Sequence, residues 1–278
     1  MRTWSPLGIV VLLALALLTG PAGAAAANGV PRPDHVVIVI FENHQQPQVI
    51  GSPNAPYINS LAAGGANFTQ SFAVTHPSQP NYLALFSGSL QGVSNDSCPH
   101  TFNGTNLGRQ LLDAGLGFAG YSEGLPTTGF TGCTTGRYAR KHSPWVDFSN
   151  LAGSTNKPFT AFRTDFTKLP TLSFVIPDLC NDMHDCSVAT GDDWLRIRVK
   201  PYADWAKTHN SVLIVDFDED DFTTANRIPT VFYGQHVKTG TYTERITHYS
   251  VLRTIEDMFN LAHIGSAASA NTIADSWQ

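Results

Sequence analysis

The chain has 278 residues and carries 17 lysines and arginines against 22 aspartates and glutamates, which gives a formal net charge of −5 at pH 7. A mildly acidic chain without a basic run does not have the composition of a nucleic-acid-binding protein. Its length is sufficient for one large α/β domain with a substantial core.

The first segment, residues 1–27, has the layout of a secretory signal peptide. Arg2 precedes an apolar run over 7–18, which is followed by a Gly-Pro pair and a series of small residues. The run is short for a membrane span, and the small residues suit a signal peptidase. We expect cleavage there, leaving a secreted (extracellular or periplasmic) single domain at 28–278 with no stable membrane anchor. An uncleaved anchor is the alternative.

In chain order, apolar runs typical of buried strands alternate with segments of helical spacing. The run at 35–41 is continuous and β-branched, as expected for a strand covered on both faces. A short helix is expected after Asn81, and the Gly-, Ser-, Thr- and Asn-rich region 88–136 is expected to form surface excursions. Further helices are expected at 106–114, 192–207 and 248–261, and strands at 171–177, 211–217 and 228–234. This alternation predicts an α/β fold with a mostly parallel central sheet and helices on both faces.

Acidic and amide side chains directly follow the predicted strands. Glu42 and Asn43 come after the first strand, and Asp218 and Glu219 begin an acidic run after the third. The ligand crevice of a parallel sheet lies beyond the carboxyl ends of its strands, and carboxylates gathered there repel one another unless a cation lies among them. We therefore predict that these four residues bind one divalent metal ion, although a solvated acidic loop is the alternative. Oxygen ligands favour Mg, Ca or Mn, whereas an added imidazole would favour Zn or Fe.

A serine between two prolines, in the stretch THPSQPNYLALFSG, is the candidate nucleophile. Ser78 is predicted to cap a helix that Pro80 starts, since proline is favoured at the first helical position. The same helix end presents N–H groups and a positive dipole to a phosphate. A nearby metal ion would lower the pKa of the Ser78 hydroxyl without a histidine base, and Asn81 would contact a phosphate oxygen. The capping and nucleophilic roles of Ser78 are compatible.

Several segments together resemble one known family. They are HVVIVIFENH, THPSQPNYLALFSG, YARKHSPW, IPDLCNDMHDC with GDDWL, VDFDEDD and TYTERITHYSVLRTIEDMF. In this order, over nearly the whole chain after the signal segment, they are similar to the phosphoesterase family of secreted acid phosphatases and bacterial phospholipases C, in the alkaline-phosphatase superfamily. The nearest resemblance is to its short, acid-phosphatase-like members. It implies an alkaline-phosphatase-like fold and a secreted, metal-dependent acid phosphatase that acts on small phosphate monoesters.

The resemblance also implies roles for individual positions. Ser78 would be phosphorylated and would contact the metal ion, and Asn81 would contact the phosphate. The implied metal ligands are those already predicted at the strand ends, namely Glu42, Asn43, Asp218 and Glu219.

One departure from the family bears on the number of metal ions. Two-metal relatives have an Asp and a His at the positions of Asp178 and His184, and an Asp-His pair where this chain has Asp218 and Glu219. Loss of that imidazole favours a single ion.

We predict Asp178 and Lys141 as substrate contacts.

Three histidines are candidates for binding phosphate oxygens or protonating the leaving alkoxide, because an imidazolium with a pKa near about 6.5 can do both in mildly acidic medium. His142 lies beside Lys141 in YARKHSPW, His184 lies between two nearby cysteines, and His248 lies at a predicted helix start. His76 is expected only to pack beside the serine motif.

Four cysteines in an exported chain predict two disulfides, Cys180–Cys186 formed locally and Cys98–Cys133 from the remaining pair. A zinc site is the alternative, although the sequence contains no CxxC pair.

Three other functions remain open at this point. The same centre would support a phosphodiesterase of the phospholipase C type. Ser122, in GYSEG, matches the nucleophile elbow of serine esterases, but LPTTG follows it and does not readily start the required helix. A non-catalytic secreted binding module is the third option.

Overall fold

The computed structural model describes residues 1–3 and 29–278. The predicted signal peptide therefore lies outside the described residues, apart from its first three positions. Over the part of the chain that is described, no helix is both long enough and apolar enough to span a bilayer.

The described strands are β1 (His35–Phe41), β2 (Ala66–Phe68), β3 (Ser71–Phe72), β4 (Phe118–Ser122), β5 (Thr134–Thr135), β6 (Tyr138–Ala139), β7 (Asn156–Pro158), β8 (Leu172–Ile176), β9 (Ser211–Phe217), β10 (Thr230–Gly234), β11 (Gly240–Tyr242) and β12 (Ile246–Thr247). The α-helices are α1 (Gln46–Val49), α2 (Pro56–Gly64), α3 (Ser78–Ser87), α4 (Leu107–Asp113), α5 (Val188–Arg198), α6 (Lys200–Ala206) and α7 (His248–Met258). Short 3-10 helices span Arg140–His142, Pro144–Asp147, Gly153–Thr155, Phe159–Ala161, Phe166–Lys168 and Gly265–Ser269.

The central sheet has the strand order β11-β2-β10-β9-β1-β8-β4-β7. β1 pairs in parallel with β8 on one side and with β9 on the other. β10 runs antiparallel to both of its neighbours, β9 and β2. The prediction of a mostly parallel sheet is confirmed.

The antiparallel direction of β10 follows from the connection that precedes it. Residues 218–229, between β9 and β10, contain no helix that could carry the chain back to the other end of the sheet. A parallel pair requires such a crossover, so the chain reverses and returns alongside β9. As a result, this whole connection stays at the edge of the sheet where β1 and β9 end.

Alternate residues of β1 pack into two separate apolar layers. Val36, Ile38 and Ile40 face a cluster that includes side chains of α3, α4 and α7. Val37 and Val39 face a second cluster built with α2, α5 and α6. Helices therefore cover both faces, as predicted, and the continuous apolar run of β1 is fully buried.

Two predicted elements differ substantially from the structure, and α3 begins at Ser78 rather than after Asn81. The helix predicted at 192–207 is two helices, since α5 ends at Arg198 and α6 begins at Lys200. Pro201 has no N–H and its ring clashes with the preceding turn, so α5 cannot continue through it, whereas the first turn of α6 tolerates it. The surface excursion predicted at 88–136 contains β4, which lies inside the sheet between β8 and β7. The glycine in β4, Gly120, interrupts the apolar sequence pattern that would otherwise predict a strand. A Cβ on Gly120 would come within 2.0 Å of the Trp145 ring, so this close packing requires glycine.

Both predicted disulfides are present, Cys98–Cys133 and Cys180–Cys186. The first joins the loop after α3 to the segment just before β5. The second closes a short loop after β8, and this loop carries Asp182 and His184.

Candidate active site

Backbone hydrogen bonds tie three strand ends together at the carboxyl edge of the sheet. The N–H of Asp218, just after β9, donates to the carbonyl of Phe41 at the end of β1 over 3.0 Å. The N–H of Glu42 donates to the carbonyl of Asp182, after β8, over 2.8 Å. Because β1 lies between β8 and β9, the polar residues that follow these strands meet above its end, as expected for a parallel sheet.

Asn43 links β1 to the acidic connection after β9. Its φ of 53° lies in the left-handed region, which asparagine adopts more readily than most residues. Its N–H donates to Oδ1 of Asp218 over 3.1 Å, and its own Oδ1 lies 3.5 Å from Oγ of Ser78. The amide oxygen of Asn43, an atom of the kind that binds metal ions, thus lies next to the candidate nucleophile Ser78.

Ser78 is the first residue of α3, and Pro77 occupies the N-cap position. The prediction that Ser78 caps the helix is therefore wrong. The helix tolerates Pro80 in its first turn because N–H groups there have no intrahelical partner. The Ser78 hydroxyl is instead directed at carboxylates, with Oγ 3.0 Å from Oε2 of Glu42 and 3.0 Å from Oε1 of Glu219.

Asn81 holds the segment that leads into α3. Its Nδ2 donates to the carbonyls of Thr75 and Pro77 over 2.8 and 3.2 Å. Its Oδ1 accepts from the N–H groups of Val74 and Thr75 over 3.0 and 3.1 Å. The Asn81 amide therefore fixes the backbone that positions Ser78.

His76 connects the serine segment to Glu219. Its Nδ1 is hydrogen-bonded to Oε2 of Glu219, and its Nε2 lies 3.2 Å from the carbonyl of Thr223. The ring of Phe222 stacks on the His76 ring with centroids 4.8 Å apart. The sequence analysis predicts only that His76 packs beside the serine motif. Its position two residues before Ser78 was the feature that could have indicated a contact with the site residues.

Glu42, His142 and Asp182 form a buried group beside Ser78. Nε2 of His142 lies 3.1 Å from Oε1 of Glu42, and Nδ1 lies 3.4 Å from Oδ2 of Asp182. The Tyr82 hydroxyl donates to Glu42, and its ring stacks on His142. Ligand atoms of the three residues lie within 4.8 Å of one another, so the group could hold a metal ion. Neither Tyr82 nor Asp182 is among the predicted site residues.

Burial and mutual repulsion raise the pKa values of these carboxyl groups. Burial, with the charges of Asp218 and Asp182, raises the pKa of Glu42 well above its usual value. Burial and the charge of Glu219 raise the pKa of Asp218 to about 7. Burial lowers the pKa of His142 well below its usual value, which favours a neutral imidazole. Crowded carboxyl groups beside a neutral imidazole are the environment that a cation stabilises.

Buried polar atoms of the same group lack hydrogen bonds. Oδ2 of Asp218, Oδ2 of Asp182 and Nε2 of His142 are buried without a hydrogen-bond partner among the described residues. Such atoms cost free energy unless another group, a water or an ion satisfies them. The donor set present here therefore fits a divalent cation, and the His142 nitrogen adds the ligand type that Zn and Fe accept.

His248, the first residue of α7, lies behind the acidic connection. Its Nε2 lies 2.7 Å from the backbone carbonyl of Asp218, and its Nδ1 lies 3.3 Å from Oδ2 of Asp216. Although burial lowers the pKa of His248, the hydrogen bond and charge of Asp216 raise it above its usual value. These contacts hold the backbone that carries Asp218 and Glu219.

Lys141 brings a positive charge close to the start of α3. Its Nζ lies 2.7 Å from Oδ2 of Asp96, and Oδ1 of Asp96 accepts from the N–H of Gln79 over 3.0 Å. Although burial lowers the pKa of Lys141, the hydrogen bond to Asp96 and the charge of Glu42 raise it above its usual value. Asp96 lies in the predicted surface region, where the sequence offered no sign of this contact.

His184 and Asp178 lie on the loop after β8. The ring of His184 has its centroid 6.2 Å from that of His142, and its side chain is 32% exposed. Oδ1 of Asp178 accepts from the N–H groups of Cys180 and Asn181 over 3.0 Å each. The His184 side chain is therefore accessible to a ligand, whereas the Asp178 carboxylate stabilises the turn that precedes His184.

The predicted site residues thus fall into two sets. Those that meet at the strand ends are Glu42, Asn43, Ser78, His142, Asp218 and Glu219. Those that lie around this group or support its backbone are Asn81, Lys141, Asp178, His184 and His248.

Ser122 does not occupy a nucleophile elbow. It lies in β4, is 1% exposed, and its hydroxyl oxygen lies 2.9 Å from that of Ser143. The residues that follow form a loop rather than a helix. This geometry lacks the strand-to-helix turn that the serine-esterase alternative requires.

The sequence matches known proteins over most of its length. The model of the phosphoesterase family matches residues 52–262. The phosphatidylinositol-3-phosphatase of Mycobacterium tuberculosis is 50% identical over 286 aligned residues, covering 99% of this chain and 95% of that protein. An acid phosphatase of Aspergillus fumigatus is 32% identical over 226 residues, covering 74% of this chain and 51% of that protein. The chain thus spans nearly all of the first relative and about half of the second.

Solved structures share the fold at low sequence identity. A protein of the alkaline phosphatase superfamily from Vibrio parahaemolyticus has a TM-score of 0.61 at 13% identity, covering 91% of this chain and 74% of that one. Murine ectonucleotide pyrophosphatase/phosphodiesterase 5, in complex with AMP, has a TM-score of 0.61 at 10% identity, covering 88% of this chain and 100% of that one. At these identities the likeness concerns the fold, which is that of the alkaline phosphatase superfamily.

Proposed function

This chain belongs to the phosphoesterase family and is a phosphoric ester hydrolase, and from that premise we propose that it is a secreted, metal-dependent acid phosphatase that cleaves phosphate monoesters through a phosphoserine at Ser78. The observation that carries the proposal is the position of the Ser78 hydroxyl. It stands at the amino end of α3, 3.0 Å from carboxylate oxygens of Glu42 and Glu219 that come from two different strand ends.

The chain's own residues would bind and orient the phosphate. The amino end of α3 and the nearby Lys141 ammonium attract a phosphoryl group to Ser78. In-line attack by Oγ would form the phosphoserine and release the alcohol, and water would then hydrolyse that ester. Catalysis of this kind depends mainly on positioning and charge neutralisation.

A divalent cation would be held by the acidic residues around Ser78. The candidate ligands are Glu42, Asn43, Ser78, His142, Asp182, Asp218 and Glu219, and unsatisfied buried atoms of Asp182, His142 and Asp218 support this set. When bound, such an ion would supply positive charge that lowers the pKa of the Ser78 hydroxyl and offsets the charge of the phosphoryl oxygens.

The three candidate histidines would have different tasks. His184 is the best placed to protonate the leaving alkoxide, since its side chain is partly exposed beside His142. The buried His142 would be a cation ligand beside Glu42 and Asp182, and the buried His248 would hold the backbone at Asp218. Only the first of these tasks requires a proton to reach the substrate.

Export is supported by the two disulfides, Cys98–Cys133 and Cys180–Cys186, since such bonds persist in oxidising compartments. The substrate class is supported by the names of the relatives, acid phosphatase and phosphatidylinositol-3-phosphatase, both of which are phosphatases by name. A phosphorylated lipid headgroup is therefore within the proposed substrate class.

The test compares p-nitrophenyl phosphate with bis-p-nitrophenyl phosphate across pH, with and without EDTA, for the wild type and Ser78→Ala. We expect preference for the monoester, loss of activity with EDTA, and a loss of several orders of magnitude in Ser78→Ala. Acid quenching during turnover should trap phosphate on Ser78, detectable by mass spectrometry of the peptide.

Other outcomes identify other functions. Preference for the diester would indicate the phospholipase C type of activity. Full activity of Ser78→Ala in the presence of chelator would contradict the proposed mechanism. Absence of turnover on every phosphate ester would favour a non-catalytic binding module.

A further inference from the structure

An apolar cavity outside the group around Ser78 has no role in the mechanism above. Its volume is about 520 Å³, and its walls include Leu125, Phe159, Phe162, Phe166 and Ile197. Small-molecule sites typically enclose about 300–1,000 Å³ and have largely apolar walls. Ile197 is 59% exposed, an unusual state for a large aliphatic side chain in the described chain.

Two guanidinium groups line the same cavity. Arg163 and Arg198 both contribute to its wall, and neither side chain has an ion-pair or hydrogen-bond partner among the described residues. By contrast, Arg196 on the same helix as Arg198 is paired with Asp193. Unpaired guanidinium groups beside an aromatic wall are complementary to an anionic group attached to an apolar chain.

The cavity is connected to the loop that carries the buried site residues. Glu123 lines it and also lines a second cavity of about 410 Å³, whose wall includes Asn181. Oε2 of Glu123 accepts from the N–H of Asp178 and from Nδ2 of Asn181 over 3.1 and 2.9 Å. Asn181 immediately precedes Asp182, which contacts His142 in the buried group. The two cavities share Glu123, Ile197 and Arg198, and the second reaches Asn181 on the loop that carries Asp182.

From these observations we infer that the aromatic cavity binds the apolar chain of the substrate, so that the substrate class is amphipathic phosphate monoesters. Arg163 and Arg198 bind a further negative group carried next to that chain. The inference rests on the proposed function for its catalytic part, whereas binding of an anionic chain compound to the cavity does not require turnover.

The first arm of the test measures substrate preference. Dodecyl phosphate, kept monomeric, is compared with ethyl phosphate for the wild type, Ile197→Asp and the control Arg196→Glu. We expect kcat/KM at least about tenfold higher for the dodecyl ester in the wild type and in Arg196→Glu. Ile197→Asp should lose this preference through a higher KM with kcat unchanged, and keep normal kcat/KM on the ethyl ester.

The second arm measures binding directly with the fluorescent fatty acid cis-parinarate. It should bind the wild type and Arg196→Glu, be displaced by dodecyl phosphate, and bind about tenfold more weakly to Arg198→Glu. All of these positions are exposed, so the variants are expected to fold.

The outcomes separate this inference from the proposed function. Equal kcat/KM on the two esters, or a preference that survives Ile197→Asp, overturns the inference and leaves the phosphatase proposal intact. If neither ester is hydrolysed, the phosphatase proposal fails. Displacement of parinarate by dodecyl phosphate then determines whether the cavity binds an anionic compound with an apolar chain. Parinarate that dodecyl phosphate cannot displace marks an unrelated ligand site and overturns the inference.

Discussion

The hydroxyl oxygen of Ser78 lies 3.0 Å from Oε1 of Glu219, a residue 141 positions later in the chain. The other carboxylate oxygen of Glu219 is hydrogen-bonded to Nδ1 of His76, two residues before the serine. One short segment thus contacts both oxygens of this carboxylate, which makes the orientation of Glu219 depend on His76.

His76 is therefore expected to act as a positioning residue. His76→Ala removes the hydrogen bond that orients Glu219, and loss of a partner of this kind typically costs about 10–100-fold in metal affinity or activity. Bound metal, measured by elemental analysis, and kcat/KM on p-nitrophenyl phosphate should fall together. The matched control is His209→Ala, since His209 is exposed and stacks on Trp205. Normal metal content and activity in His76→Ala would contradict this role.

Removal of the proposed divalent cation by a chelator should lower both activity and thermal stability. Burial, together with repulsion from neighbouring carboxylates, raises the pKa values of Glu42 and Asp218, and without a cation both effects destabilise the charged groups in the fold. Restoring a ligand to about 100 times its Kd stabilises a protein by about 2.7 kcal/mol, which for a chain of this size raises Tm by several degrees. Differential scanning fluorimetry after EDTA treatment, followed by addition of each candidate metal, measures this. An unchanged Tm together with full activity after chelation would argue against a structural cation.

Stability should fall as pH rises from about 4.5 to about 8 because of one buried carboxyl group away from the site. Oε1 of Glu256, on α7, accepts from the N–H of Ile264 over 3.0 Å, and burial raises the pKa of Glu256 to about 8. The unfolded group titrates near its usual pKa of about 4.3. Between these values the folded state holds a proton that the unfolded state has released, so raising the pH favours unfolding until the folded group also ionises.

Glu256→Gln removes this titration and keeps an oxygen that can accept the hydrogen bond. The variant should match the wild type near pH 4 and exceed it near pH 8 by roughly 1–3 kcal/mol in the free energy of unfolding. Urea unfolding at a series of pH values measures the difference. Parallel pH profiles for the two proteins would show that Glu256 has an ordinary pKa.

The two disulfides should differ in what their removal costs. The loops closed by Cys98–Cys133 and Cys180–Cys186 span sequence separations of 35 and 6. The entropic model predicts that losing the longer closure costs about 1.5 kcal/mol more stability. The shorter loop carries Asp182 and His184, so its removal should cost more activity. Paired Cys→Ser variants, compared by Tm and kcat/KM, test both halves of the prediction. A larger Tm loss for the Cys180–Cys186 pair would contradict the entropic half.

The centre of the fold was predictable because it is built from strands buried on both faces. β1 and β9 have the bounds that their continuous apolar runs predict. β4 was not predictable in this way, because the segment FAGYS contains a glycine, Gly120, in place of an apolar residue, and Trp145 packs against that glycine. That contact joins distant parts of the chain, and no local pattern records it.

The candidate site shows the same division. The acidic residues after β1 and β9 could be assigned because strand ends of a parallel sheet converge. The contact of His142 with Asp182 could not, because it depends on how the loop after β8 packs against a 3-10 helix. Asn81 illustrates the opposite case, since its position near Ser78 was evident but its amide is used by the local backbone.

The place of β1 in the sheet has a consequence for synthesis and refolding. β1 begins at residue 35, whereas the strands that flank it begin at residues 172 and 211. Until β8 has been made, the run HVVIVIF has neither neighbour available, and until β9 has been made one of its edges stays open. Exposed strands of this kind pair with one another between chains. Because these pairings are distant in sequence, folding should be slow, and recovery of native protein after dilution from denaturant should decline as chain concentration increases.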